Sequence, residues 1–223
     1  KHETWMAASL PTDDASSLSL EDDDSNARSQ FGTRQYWDDL YLGRGDFPAD
    51  EYSWYFGWET LQTFVKEYIP DTSANIVCPG IGNDPLLVDL YKAGYTDLTA
   101  FDYSEYAVER QEDSISYALP TKAIDTIQLY TMDARNLPSD WSHKFDAIIE
   151  KGALDAIYLS GDGNMERAVL ELNRVLKPGG ICMSVSGVVP EELRREMFQD
   201  WNWIRDGSDE LKAGCFVFQK PEN

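Results

Sequence analysis

The chain is poor in the side chains from which metal and nucleophile sites are most often built, with 3 cysteines and 2 histidines in 223 residues. Cys78, Cys182 and Cys215 each sit inside an apolar, strand-like run, and no two lie close enough in sequence to suggest zinc binding or redox cycling. They read as buried, reduced thiols. His2 falls in a terminal tail and His143 in a polar loop, which argues against a histidine-based metal or nucleophile site. Long apolar runs are missing too, since nothing approaches the roughly 18 residues a membrane helix needs. The N-terminus shows no basic-then-apolar leader pattern, Lys1 to Trp5 would precede a native start at Met6, and the expected location is cytoplasmic. Positive charge is the last scarcity: 19 Lys and Arg stand against 40 Asp and Glu, a net charge of −21. The first thirty residues hold seven acids against Lys1 and Arg28, or −5, which leaves −16 for the body. Such a body repels phosphate backbones, so nucleic acid is a poor partner and a basic protein surface or a cationic small molecule a better one. The alternative is that the charge only maintains solubility or reflects a saline habitat.

What is present falls into two parts. Residues 1–30 are rich in Ser, Asp and Ala, include Glu21-Asp22-Asp23-Asp24, and hold too little apolar surface to offset the entropy of ordering, so a disordered acidic tail is expected there. One domain follows over 31–223. It opens with aromatic segments, Tyr36-Trp37-Asp38-Asp39-Leu40-Tyr41 and Tyr52-Ser53-Trp54-Tyr55-Phe56, in which Trp37 and Tyr41 are four apart and would share a helix face. Helical and strand patterns then alternate, the signature of a parallel sheet covered on both faces. Helices are expected near 58–69, 85–93, 104–118, 164–176 and 190–199. Strands are expected at 75–79, 97–102, 126–130, 145–150 and 180–186. A final pair, 201–205 and 215–219, reads as an antiparallel hairpin that closes the sheet. The fold class is therefore α/β, doubly wound and Rossmann-like, with seven mostly parallel strands.

The sharpest local signal is Ile76-Val77-Cys78-Pro79-Gly80-Ile81-Gly82-Asn83-Asp84-Pro85, a strand running into a glycine loop and a helix. Gly80 and Gly82 permit a tight turn and close approach of backbone to a ligand, and Pro85 suits a first helical turn. Asp102 follows at the end of the next strand, where a carboxylate can accept both hydroxyls of an adenosine ribose. Asp133 lies after the third strand, in position to meet an adenine amine. A nicotinamide enzyme would share these features. Yet Pro85 stands where a dinucleotide loop has its third glycine, and no basic group is evident to complement a pyrophosphate.

The loop Pro79-Gly80-Ile81-Gly82-Asn83-Asp84, the run Phe145-Asp146-Ala147-Ile148-Ile149-Glu150-Lys151-Gly152-Ala153-Leu154-Asp155-Ala156, and Arg174-Val175-Leu176-Lys177-Pro178-Gly179-Gly180 resemble the class I methyltransferase motifs. With Tyr36-Trp37, Tyr41 and Trp54-Tyr55 ahead of them, they are most similar to the elongation factor 1-alpha lysine methyltransferases, over about residues 31–219. The resemblance implies S-adenosylmethionine as cofactor, whose sulfonium suits an acidic, aromatic-lined cleft. It also implies roles: Trp37, Tyr41 and Trp54 wrap the cofactor, Gly80 sits under its methionine part, and Asp102 with Tyr103 holds the ribose. Asp133 and Ala134 frame the adenine, while Glu150, as the catalytic group, and Lys151 lie beside the sulfonium at the mouth of the substrate channel. A basic protein, with elongation factor 1-alpha foremost, would be the partner. Two departures stand out. The family usually has Gly-Cys-Gly-Asn-Ser where this chain has Gly80-Ile81-Gly82-Asn83-Asp84, and Ser53 replaces the usual acid before Trp-Tyr.

Plainer readings exist for these residues. Trp37, Tyr41 and Trp54 are also suited to packing, Asp102 to capping a helix, although Ser104 is the better cap, and Asp133 to a turn. Lys151 can pair with a nearby acid, and Asp155 can brace a loop. Three other functions share the pattern: a small-molecule methyltransferase, a non-catalytic binding module, and a nicotinamide oxidoreductase. Against the first, the aromatic N-terminal segment and the 156–164 loop look too short to seal in a small substrate.

Overall fold

The structure is a computed structural model, and it describes residues 24–208 and 213–222. The chain forms α1 (Arg34–Tyr41), α2 (Trp58–Tyr68), β1 (Ile76–Pro79), α3 (Leu86–Lys92), β2 (Leu98–Asp102), α4 (Glu105–Ala118), α5 (Thr121–Ile124) and β3 (Ile127–Thr131). There follow β4 (Phe145–Lys151), α6 (Ala153–Leu159), α7 (Asn164–Val175), β5 (Leu176–Ser186), α8 (Glu191–Met197), β6 (Asn202–Arg205) and β7 (Gly214–Gln219). The strands make one seven-stranded sheet in the order β3-β2-β1-β4-β5-β7-β6. The first five run parallel, and β7 is antiparallel to both β5 and β6.

Burial explains the layers. Every residue of β1 and β2 is buried, as expected of central strands covered on both faces. Successive side chains leave on opposite faces. Ile76, Cys78, Ala147 and Ile149 accordingly pack with Leu61 and Val65 of α2, Leu87 and Leu90 of α3, and Ile115 of α4. Val77 and Ile148 pack on the other side with Val169 and Leu172 of α7. In α7 the buried Met165, Ala168, Val169, Leu172 and Val175 recur at helical spacing, which commits that helix to one face of the sheet.

Three differences from the sequence expectation concern the cover of the sheet. Residues 156–159, expected within a loop over 156–164, instead belong to α6, which starts behind Gly152 at φ +81. β5 begins at Leu176 rather than 180, because Phe145 already pairs with Leu176 before an irregularity in the ladder. The expected disordered tail divides: residues 1–23 lie outside the described residues, whereas 24–32 form two 3₁₀ turns, Asp24–Asn26 and Gln30–Gly32. This segment is held by specific contacts that its composition does not reveal. The Arg28 amide donates to Leu159 O at 2.7 Å, and its guanidinium reaches Tyr158 O and Asp162 at the end of α6. Gly32 lies so close to α6 that a Cβ there would come 2.1 Å from Leu159 O. Gly32→Ala is therefore expected to cost about 1–3 kcal/mol, the usual range for an inserted carbon without room, and to loosen the N-terminal cover. Thermal unfolding checks the first effect; faster proteolysis near residues 24–41 checks the second.

Candidate active site

Strand order reverses between β1, whose chain continues toward β2, and β4, whose chain continues toward β5. Loops leaving the carboxyl ends of these strands diverge there and open a crevice, the customary ligand position in sheets of this kind. The crevice holds two adjoining chambers. The larger, of about 250 Å³, is lined among others by Trp37, Tyr41, Trp54, Tyr55, Gly80, Gly82, Asp102, Lys151 and Asp155. The smaller, of about 100 Å³, is lined by Phe101, Met132, Asp133, Ala134 and Arg135. Gly80, Tyr103, Ala153 and Ala156 border both.

Gly80 and Gly82 stand at φ +57 and +55, a region glycine enters without strain. The space above them is also accounted for. A Cβ on Gly80 would come 2.6 Å from Ala153 Cβ, and one on Gly82 would come 2.7 Å from Tyr41 Oη. Asp102, at the end of β2, ties this loop down. Its Oδ2 accepts the Gly82 amide at 2.9 Å and its Oδ1 accepts the Ser104 amide at 3.0 Å. Ser104 is the residue before α4, but its hydroxyl makes no cap bond and donates to Asp38 instead, so Asp102 holds the residue that leads into the helix and also faces the chamber. Burial pushes the Asp102 carboxyl up to about 6, against the opposing pull of those amides.

The aromatic segments form one interlocked wall. Trp37 and Tyr41 stack at 6.2 Å, Trp37 meets Trp54 edge-on at 5.7 Å, and Trp37 Nε1 donates to Phe31 O at 2.8 Å. Phe31, which the sequence reading passed over, packs edge-on against Trp54 at 6.1 Å and lines the same chamber. Asp133 and Ala134 line the smaller chamber, and the Asp133 carboxylate is engaged by the Arg135 amide at 2.8 Å and by its guanidinium. The turn reading of Asp133 thus describes its bonding.

Lys151 and Glu150 part company. Lys151 lines the large chamber, but its ammonium is committed to Asp84 at 2.5 Å, Ser53 Oγ at 3.0 Å and Phe56 O at 2.9 Å. Both departures from the family pattern meet here, because Ser53 Oγ also donates to Asp84 Oδ2 at 3.0 Å. The acid expected at 53 and the serine expected at 84 have exchanged places, and the lysine keeps its acidic partner. Glu150 leaves the strand on the opposite side and does not line the chamber. It is fully buried, accepting the Ser184 hydroxyl and the Leu154 amide at 3.1 Å. The expectation that it stands beside the cofactor is corrected by the two-residue period of β4, which sends neighbouring side chains to opposite faces.

Asp155 also emerges as a brace. Its Oδ1 accepts Ser186 Oγ at 2.6 Å and the Val188 and Val189 amides at 3.2 and 2.9 Å. Its Oδ2 accepts the Gly187 amide at 2.9 Å and the Tyr55 hydroxyl. Tyr55 itself stands at φ +66, a conformation uncommon for a bulky residue.

The cradle fits S-adenosylmethionine on its own chemistry. It has Cβ-free backbone where a ligand must lie close, a buried carboxylate with lone pairs left for a ribose, and aromatic faces for a sulfonium. In the large chamber the lysine is neutralised by Asp84, so nothing there is arranged for a pyrophosphate. The fold and site together define a class I, S-adenosylmethionine-dependent methyltransferase. A methyltransferase domain family matches residues 77–184. Among solved structures, a glycopeptide N-methyltransferase complexed with S-adenosylmethionine superposes with a TM-score of 0.62 at 13% identity, covering 76% of this chain and 96% of that one. A [4+2]-cyclase, SpnF, superposes at 0.66 and 16% identity over 89% of this chain and 98% of its own, so the fold alone does not name a reaction. The relatives in sequence are more specific. EEF1A lysine methyltransferase 2 of Homo sapiens is 30% identical over 89% of this chain and 90% of that protein. The eEF1A lysine and N-terminal methyltransferase of Xenopus laevis is 33% identical over 78% of this chain, which spans only 25% of that longer protein. The chain belongs to the EEF1A lysine methyltransferase family.

Burial pushes the Glu150 carboxyl up to about 7 from its ordinary 4.5, aided by the nearby Asp155 charge and opposed by the Ser184 hydroxyl bond. The folded protein therefore holds a proton that the unfolded chain has released between these values. This contribution to stability is fully present below pH 4.5 and is lost as pH rises through 7. Asp102 acts in the same direction up to about 6. Glu150→Gln should remove the Glu150 part, about 3 kcal/mol for a rise of this size, so its melting temperature should fall less between pH 5 and pH 8 than the parent's. Parallel pH profiles from calorimetry would contradict this placement.

Proposed function

We propose that the protein transfers a methyl group to a lysine ε-amine on a basic protein in the cytoplasm, with elongation factor 1-alpha as the acceptor, and that nucleic acid and membranes are not its partners. The observation that carries this reading is the aromatic-walled chamber beside Asp102 in a chain whose relatives are named for EEF1A lysine methylation. When bound, S-adenosylmethionine supplies a methyl group already activated by a sulfonium. The protein's task is then to position and to exclude water.

Asp102 accepts the ribose hydroxyls, and the Gly80–Gly82 backbone lets the methionine part lie flat against the loop. Trp37, Tyr41 and Trp54 cover it, Tyr103 packs beside the ribose, and Ala134 together with the Asp133–Arg135 turn borders the adenine. Lys151 holds the Ser53–Asp84 pair and, through it, the entrance of the cover. The acceptor amine must arrive neutral, because an ammonium has no lone pair to attack with, and the apolar aromatic walls favour the neutral form. The cover is more extensive than its sequence suggests, since residues 24–56 are pinned to α6 and α4. Its extent therefore does not separate a protein from a small acceptor. Charge does: a body carrying −16 outside its first thirty residues draws in a basic partner.

Steering of this kind is screened within about 8 Å at physiological ionic strength. Incubation with methyl-labelled S-adenosylmethionine and recombinant elongation factor 1-alpha is expected to place label on a lysine, identified by mass spectrometry, and kcat/KM is expected to fall as salt is raised from low to physiological strength. Label entering a metabolite with none in protein would contradict the proposal and favour a small acceptor.

A further inference from the structure

The geometry points to Tyr55 as the side chain that receives the acceptor amine, and to Asp155 as the positioning residue that presents it; the inference rests on the lysine-methylation reading above. Two features of the structure carry it. The first is the backbone of Tyr55, at φ +66, a conformation that persists in a bulky residue only where its surroundings over-determine it, and such sites cluster where ligands bind. The surroundings are visible. The hydroxyl donates to Asp155, and the ring lies against Gly152, where a Cβ would come 3.3 Å from Tyr55 Cε2. That glycine opens α6 at the floor of the large chamber, which Tyr55 also lines.

The second observation is the saturation of Asp155. Although it lines the chamber, its carboxylate already meets five donors: Ser186 Oγ, the Tyr55 hydroxyl, and the amides of Gly187, Val188 and Val189. An ionised carboxylate offers about four lone-pair sites, so Asp155 has none left for an incoming amine. The phenol oxygen of Tyr55 spends its proton on Asp155 and receives the Gly187 amide on one lone pair, which leaves the other for an incoming donor. The other charged groups are committed elsewhere. Lys151 is held by Asp84, Asp102 sits with the glycine loop, and Glu150 is buried behind the strand.

The chemistry follows from that arrangement. A neutral amine donates one N–H to the Tyr55 oxygen, which Asp155 has made a better acceptor by polarising the O–H bond, and the amine lone pair is thereby aimed away from Tyr55 into the chamber. That lone pair forms the new N–C bond while the C–S bond breaks onto sulfur, leaving a neutral thioether. The nitrogen carries the positive charge, and its proton passes to water as the product leaves. Tyr55 stays neutral throughout, since burial and the adjacent Asp155 raise its ionisation far above the ordinary range. Asp155 also joins the aromatic cover, α6 and the 187–189 loop at one point, so the walls around the amine are fixed relative to one another.

The test uses Tyr55→Phe, which keeps the ring and loses the hydroxyl, with Asp155→Asn as the second variant because it keeps an oxygen for the Tyr55 proton. Calorimetry on protein saturated with S-adenosylhomocysteine compares recombinant elongation factor 1-alpha with its variant in which the labelled lysine is replaced by methionine. Tyr55→Phe is expected to bind S-adenosylhomocysteine within about twofold of the parent, to lose the preference for the lysine-bearing factor, and to lower kcat by roughly tenfold to a hundredfold, the scale of a misdirected reacting group. Asp155→Asn should lower kcat less, and it carries the test if the Phe variant does not fold. If the parent labels a lysine and Tyr55→Phe matches it in both preference and kcat, the assignment of Tyr55 is wrong while the lysine reading stands. If the parent labels no lysine, the lysine reading fails and this inference fails with it.

Discussion

The bonds from the Gly82 and Ser104 amides to the buried carboxylate of Asp102 decide where everything else in the crevice can lie. They fix the glycine loop after β1 and the residue that leads into α4 to the end of β2, so that two crossovers are locked to one side chain. Such bonds to a charged acceptor are among the stronger ones in a fold. They are also the reason the carboxylate can remain in a site that raises its pKa. The amides of Gly82, Ser104 and Tyr103 together hold the carboxylate at the chamber wall.

Around that anchor the N-terminal segment supplies what the sheet cannot. A doubly wound sheet leaves its switch point open, and here residues 24–56 close it with interlocked aromatics. Their attachment is distributed: Arg28 to the end of α6, Arg110 Nε to Tyr41 O at 2.9 Å, and Asn83 Nδ2 to Pro48 O at 2.8 Å. The last of these comes from the glycine loop itself, so the cover and the cradle are one assembly. The lysine at the end of β4 joins the same assembly through the exchanged serine and aspartate. The three cysteines take no part, each being buried in the sheet, where desolvation raises the thiols of Cys78 and Cys182.

Much of this was legible in the residues, for physical reasons. The strand–glycine–helix run around Gly80 and the carboxylate one strand later have a spacing that chain geometry imposes, and the apolar periods of α7 and of β1, β2 and β4 fix the faces they bury. What escaped notice depends on contacts between distant segments. Nothing in Ser-Asn-Ala-Arg-Ser shows that Arg28 will find the end of α6. The placement of Glu150 beside the cofactor overlooked strand alternation, which carries Lys151 with Ile149 and Glu150 with Ile148. Tyr55 was visible only as part of an aromatic pattern, because a positive φ in a tyrosine has no signature in sequence. The substitutions at 53 and 84 looked like two separate departures until the fold brought them to 3.0 Å.

The central claim is that Asp102 joins the cradle to the cofactor, and the affinity of Asp102→Ala for S-adenosylhomocysteine tests it most directly, measured by titration calorimetry on protein whose melting profile shows it folded. The account predicts a loss of about 1.5–3 kcal/mol, the range for hydrogen bonds to a charged group, with Asp102→Asn falling between the variant and the parent. Affinity equal to the parent in both folded variants would show that Asp102 only braces the glycine loop and the approach to α4 and that the ribose is held elsewhere.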